Sequence, residues 1–394
     1  MNFVPSNRLQ SIGEYAFAEV ENIVGKLKKR GIRPIDFGVG DPTAPTPDIV
    51  IRALQEASEK RASAGYPDYA GAMEFREEIT RWNKRRFGVD LNPETQINST
   101  IGSKEAVFNF HEAIVNPGDV VIIPSPGYPP YTRGTLFAEG TAYHTALLEE
   151  NNYLIDTDAI PEDVCRRAKL LWINYPNGPS GKIAPPDFFE RIIEFGRRHD
   201  IVIASDEAYS ELFFKEKPHS ILEYAKEGII VFQSLSKRSA MTCYRVGWVA
   251  GDPRIIAAFR KVKTNIDSGT ATFIQDAAIA ALNDEEHVEK MRAEYLTKRD
   301  IMVDALKAAG LKDCSPEGTI YIWQKSPEGM SCLDFAKAFL ADDVAVVTTP
   351  GAWISDKTAD GLNPGEGYIR FALVPTVEET RDAAERIKRN LKLG

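Results

Sequence analysis

The chain has 394 residues, more than one hydrophobic core ordinarily serves, which predicts a large domain with a smaller partner. Hydrophobic residues make up 43% and charged residues 27%, an ordinary globular composition, and no apolar run approaches the roughly 18 residues of a membrane helix. A net charge of −9 argues against a phosphate-backbone binder, so neither a nucleic acid nor a membrane is expected as a partner.

Residues 1–10 lack the basic flank and apolar stretch of a secretion signal, so cytoplasmic residence is the default expectation. The helical pattern of residues 12–29 leads into an apolar turn over 35–42, which Gly38, Gly40 and Pro42 break into a loop. The basic run 26–30 is flanked by Ile23, Val24, Leu27 and Ile32, and reads as the solvated face of that helix.

From about residue 47, short continuous apolar runs alternate with amphipathic stretches. The runs at 120–123, 170–173, 201–204, 229–232 and 246–250 predict strands covered on both faces, hence a mostly parallel sheet. Helical patterns over 104–115, 186–199 and 253–264 supply the covering layers. Beyond residue 285 come a long helix to 309, strands at 319–323, 344–347 and 368–373, and a last helix over 377–391. The expected fold class is therefore α/β, with a large mostly parallel domain at 47–285 and a smaller α+β domain at 286–394. Residues 1–46 are expected to pack with the small domain. Cys165, Cys243, Cys314 and Cys332 show no close metal-ligand spacing and the five histidines are scattered, so no metal is expected.

In open sheets, ligands bind beyond the carboxyl ends of the strands, which gives weight to the residues just past each apolar run. After 201–204 comes Ser205-Asp206-Glu207-Ala208-Tyr209. A carboxylate at Asp206 can hold a proton on the ring nitrogen of pyridoxal phosphate, or simply cap the next helix. After 229–232 come Ser234, Ser236 and Lys237: hydroxyls that can donate to a phosphate and a lysine that can condense with an aldehyde. Arg245, eight residues on, can grip phosphate oxygens in bidentate fashion. Alone, the Ser-x-Ser-Lys string reads as a solvated loop. Gly102-Ser103-Lys104 opens a helix, where Ser103 and the Lys104 amide can cup an anion or act as an ordinary N-cap. Tyr128, following the run at 120–123, can stack on a pyridine ring or merely pack.

Taken in chain order, Gly102-Ser103-Lys104, Tyr128, Asn174-Tyr175-Pro176-Asn177-Gly178-Pro179-Ser180-Gly181, Asp206 with Tyr209, Lys237 with Arg245, and Arg370 resemble the class I, fold type I aminotransferases. The resemblance implies that Lys237 carries pyridoxal 5'-phosphate and moves the substrate proton, and that Tyr209 bonds the cofactor's phenolic oxygen. It also implies that Tyr66 reaches the phosphate of a neighbouring subunit in a homodimer, and that Arg370 clamps the substrate carboxylate. Amino acids and 2-oxo acids such as 2-oxoglutarate are then the substrates. Residues 12–17 and the turn at 38–42, with segments 66–71, 85–89, 115–119 and 265–269, are most similar to the LL-diaminopimelate aminotransferase branch. That branch implies substrate contacts at Tyr15 and Gly40; aspartate and alanine remain alternative donors.

One departure stands out, because the family carries an asparagine on the phenolic oxygen where this chain has Gly178; either the adjacent Asn177 substitutes for it or Tyr209 works without help. Two other functions fit parts of the pattern. One is a carbon–sulfur lyase or decarboxylase on the same fold, and the other a non-catalytic effector-binding module.

Overall fold

The inner strands of the large sheet send alternate side chains to opposite faces, and both faces are buried there. Ile203, Val231 and Trp248 enter one hydrophobic cluster while their neighbours Ala204, Phe232 and Val249 enter another. The computed structural model describes residues 1, 3–12 and 18–393. From one edge the sheet runs Thr141–Ala146, Val120–Ser125, Ala168–Asn174, Val202–Asp206, Ile229–Ser234, Gly247–Gly251 and Ile97–Thr100. The pairings from Thr141–Ala146 through Ile229–Ser234 are parallel. Gly247–Gly251 runs antiparallel to both its neighbours.

That reversal matters for the site. The parallel strands end at one edge with Ser125, Asn174, Asp206 and Ser234. The reversed strand begins there, with Gly247 opposite Ser234, and Ile97–Thr100 ends there, with Thr100 opposite Gly247. Segments following the parallel strands, the segment preceding Gly247 and the Gly102 turn therefore converge on one edge of the sheet.

The covering helices follow their sequence patterns. In Pro186–His199 the buried residues Phe188, Phe189, Ile192, Ile193, Phe195 and Gly196 recur at helical spacing. Pro186 occupies the first turn, where its missing N–H costs nothing, and Asp200 ends the helix in the left-handed region. The 104–115 pattern is instead two helices, Ser103–Asn109 and His111–Ile114. Two strands carry no apolar signature: Ile97–Thr100 buries polar Asn98, Ser99 and Thr100, and Thr141–Ala146 is a partly exposed edge.

The second apolar cluster of the chain packs the Glu286–Ala308 and Val377–Asn390 helices against Tyr321–Lys325 and Tyr368–Ala372. Ile35 and Phe37 belong to it, and Ile35–Asp36 pairs in parallel with Val346–Val347. Thr376 and Glu379 form a reciprocal capping box that starts the last helix. Among the described residues, no helix is long and apolar enough to cross a membrane.

Candidate active site

Ser234 ends its strand and caps the helical turn Leu235–Arg238, accepting from the Ser236 N–H at 3.2 Å. That turn presents Lys237, whose ammonium donates to the Gly40 carbonyl at 2.7 Å. Burial lowers the Lys237 pKa; Tyr321 and Asp41 oppose the shift, while the cations Arg370 and Arg245 add to it. An amine held this way loses its proton more readily and can attack an aldehyde.

Asp206, only 5% exposed, closes the neighbouring strand. Its Oδ2 accepts from the Tyr131 hydroxyl at 2.7 Å and its Oδ1 from the Ala208 N–H at 3.2 Å. Burial raises the Asp206 pKa, and both hydrogen bonds act against that rise. Behind it, the Tyr131 ring stacks on Trp172 at 4.6 Å, and Trp172 Nε1 donates to His111 Nε2 at 3.1 Å. His111 Nδ1 bonds the Phe108 carbonyl at 3.1 Å, which requires the neutral ring protonated at Nδ1. Burial drops the His111 pKa to about 4. The carboxylate thus rests on a packed and hydrogen-bonded column, and Tyr131 is a residue that the sequence patterns did not single out.

The third group joins Tyr209, just past the large sheet, to Tyr321 and Arg370 from the three-stranded sheet. Tyr209 donates to the Tyr321 hydroxyl at 3.0 Å, and the Arg370 guanidinium lies 4.7 Å over the Tyr321 ring. Arg370 Nη2 donates to the Gly38 carbonyl at 2.7 Å, and Arg370 Nε is buried without a hydrogen-bond partner among the described residues. A buried guanidinium with a spare donor suits a carboxylate ligand. Sequence reasoning missed Tyr321, which resembles an ordinary strand aromatic until its hydroxyl is seen to meet that of Tyr209.

The anion cradle lies at the Gly102 turn. Gly102, at φ +70°, is the residue before the Ser103–Asn109 helix, so Ser103 is its first helical residue and not its cap. A Cβ on Gly102 would collide with the Arg245 guanidinium, so the missing side chain is what lets Arg245 lie on this backbone. Arg245 itself takes φ +51°, and its Nη1 donates to the Thr242 carbonyl at 2.8 Å. Helix-start N–H groups and a guanidinium side by side can hold a phosphate. The Lys104 side chain points to solvent, leaving only its backbone amide for that purpose.

Tyr128 is 38% exposed and meets the Tyr131 ring edge-on at 5.8 Å. Tyr66 is 92% exposed, and Tyr15 lies outside the described residues. Asn177 turns its carbonyl oxygen onto its own turn, accepting from the Ser180 N–H at 3.1 Å and hydroxyl at 2.7 Å. Cys165 neighbours Glu162 and His199, with candidate ligand atoms within 4.8 Å of one another, a grouping that sequence spacing conceals.

These groups fit pyridoxal 5'-phosphate: an enclosed carboxylate for the ring nitrogen, an amine of lowered basicity, a buried tyrosine hydroxyl, and a cradle that a Cβ on Gly102 would fill. Fold and donor set together define a pyridoxal-phosphate-dependent aminotransferase, which exchanges an amino group between an amino acid and a 2-oxo acid. The chain belongs to the family described as aminotransferase class I and II, whose model matches residues 32–387. It is 44% identical to the LL-diaminopimelate aminotransferase of Aquifex aeolicus, over 98% of this chain and 99% of that enzyme. The Syntrophobacter fumaroxidans enzyme of the same name is 41% identical over 99% of each. Among solved structures, an aminotransferase from Neisseria meningitidis superposes with a TM-score of 0.91 at 31% identity, covering 98% of this chain and all of that one.

Proposed function

We propose that the amino donor is LL-diaminopimelate, exchanged with 2-oxoglutarate by a cytoplasmic homodimer whose two sites are shared. The supporting observation is similarity along the whole chain: relatives named LL-diaminopimelate aminotransferase reach 44% identity over nearly its full length. Tyr66, a large aromatic left 92% exposed, supports a partner copy, whose phosphate it would reach. The division into 47–285 and 286–394, with 1–46 joining the latter, is supported by the separate apolar cluster that takes in Ile35 and Phe37.

Bound pyridoxal phosphate supplies an aldehyde for amines and a protonated ring that draws electrons from the substrate's Cα. Asp206 holds the proton on the ring nitrogen, and Tyr131 holds Asp206. Tyr209 donates to the phenolic oxygen, and Asn177 lies within the turn beside it. Ser103, the Lys104 amide, Ser234, Ser236 and Arg245 share the phosphate, while Tyr128 covers the ring. Arg370 clamps the substrate carboxylate, and Gly40 and Tyr15 border the substrate. Lys237 would take the proton from the substrate's Cα and deliver it to the cofactor's aldehyde-derived carbon, on the other side of the amino nitrogen, helped by the lowered pKa.

The test is spectroscopic. LL-diaminopimelate, aspartate, glutamate and alanine are added singly to the purified yellow protein while the visible band is followed. LL-diaminopimelate should bleach it at the lowest concentration. Aspartate or alanine acting at lower concentration would overturn the donor assignment, and ammonia released without any oxo acid would identify a lyase.

A further inference from the structure

Gly178 removes the family's asparagine, yet the space beside Tyr209 is filled. A Cβ at Gly178 would lie 3.3 Å from Tyr321 Cε2 and 3.5 Å from Tyr209 Cε2. The Tyr321 hydroxyl is 3.0 Å from that of Tyr209. Gly40 makes the approach possible, since a Cβ there would collide with the Tyr321 hydroxyl, and the Gly40 carbonyl is also the acceptor for Lys237. Tyr321 therefore stands where two glycines leave room, between Tyr209 and the Lys237 anchor, under the Arg370 guanidinium.

We propose that Tyr321 is a positioning residue that replaces the asparagine absent at Gly178, holding the Tyr209 hydroxyl on the cofactor's phenolic oxygen. Hydroxyl protons rotate, so once Tyr209 turns its proton to the phenolic oxygen, Tyr321 donates to the Tyr209 oxygen. Two hydroxyls donating in series polarise each other, making Tyr209 the stronger donor. The surroundings suit this. Burial works to raise the Tyr321 pKa, while the Arg370 guanidinium over its ring acts to lower it, and that cation favours donation from the phenol whichever way the shared proton turns.

The inference rests on the cofactor reading above, and the two can fail separately. A donor to the phenolic oxygen stabilises its negative charge once the proton shared with the Lys237 nitrogen is gone. Losing the donor raises the pH at which the holoenzyme's visible band changes. In Y321F that midpoint should rise by about one pH unit, the scale of one hydrogen bond to a charged group. Adding G178N to Y321F should bring it back. If Y321F alone does not fold, G178N and G178N/Y321F should titrate alike. An unmoved midpoint in folded Y321F, no return in the double variant, or a difference of about one unit between the two G178N proteins overturns the role of Tyr321. A colourless parent protein would instead overturn the cofactor reading itself.

Discussion

The Tyr131 hydroxyl donates to Asp206 Oδ2 at 2.7 Å inside a site where both groups are buried. Y131F leaves Asp206 with the Ala208 N–H as its remaining side-chain donor and raises a pKa that burial already lifts. A hydrogen bond to a buried charged group is worth roughly 1.5–3 kcal/mol, so the half-reaction with an amino acid should slow by about tenfold or more. Stopped-flow absorbance of the holoenzyme measures this. An unchanged rate constant would show that Tyr131 only packs against Trp172.

Gly102 gives a second test. G102A puts a methyl group into the Arg245 guanidinium and strains a backbone at φ +70°. The guanidinium is the mobile end of its side chain, so the fold should survive at a cost of about 1–2 kcal/mol while the phosphate cradle opens. Cofactor dissociation, followed by dialysis and absorbance, should become at least tenfold easier, with the melting temperature falling by only a few degrees.

Arg370 offers a third. R370K keeps the charge but loses the planar fork that matches a carboxylate. The KM for the amino acid should rise by about tenfold or more with a smaller change in kcat, measured by steady-state exchange. Equal losses in both would place Arg370 outside substrate binding.

Much of the sheet was legible because its strands are buried on both faces and so read as unbroken apolar runs, as in Ile229–Ser234. The Pro186–His199 helix was legible at both ends, from its proline and its apolar spacing. Ile97–Thr100 was not, because three of its four buried side chains are polar, and Asn98 finds its partners, Arg260 and the Tyr69 carbonyl, only in the folded chain. The break at Phe110 has no glycine or proline to announce it. Lys237, Asp206 and Arg245 drew attention because ligands bind past the strand ends in such sheets, and the fold brings all three to one edge. Tyr131 and Tyr321 drew none, since each makes its contact with a residue far along the chain: Asp206 for one, Tyr209 for the other.

His111 makes stability depend on pH. Its folded pKa, about 4, lies below the ordinary value of 6.5, so the unfolded chain takes up a proton that the fold refuses. This contribution is fully present above pH 6.5 and is lost as the pH falls towards 4, by roughly 3 kcal/mol in all. Urea midpoints between pH 7.5 and 4.5 should fall in the parent and fall less steeply in H111Q. Parallel slopes would contradict the assignment of the neutral ring.

Whether Lys237 carries the cofactor is tested by borohydride reduction of the yellow holoenzyme, followed by proteolysis and mass spectrometry. A pyridoxyl group is expected on the peptide carrying Lys237, together with a K237A protein that neither takes the label nor exchanges amino groups. A label on another lysine, or turnover by K237A near the parental rate, would contradict that role.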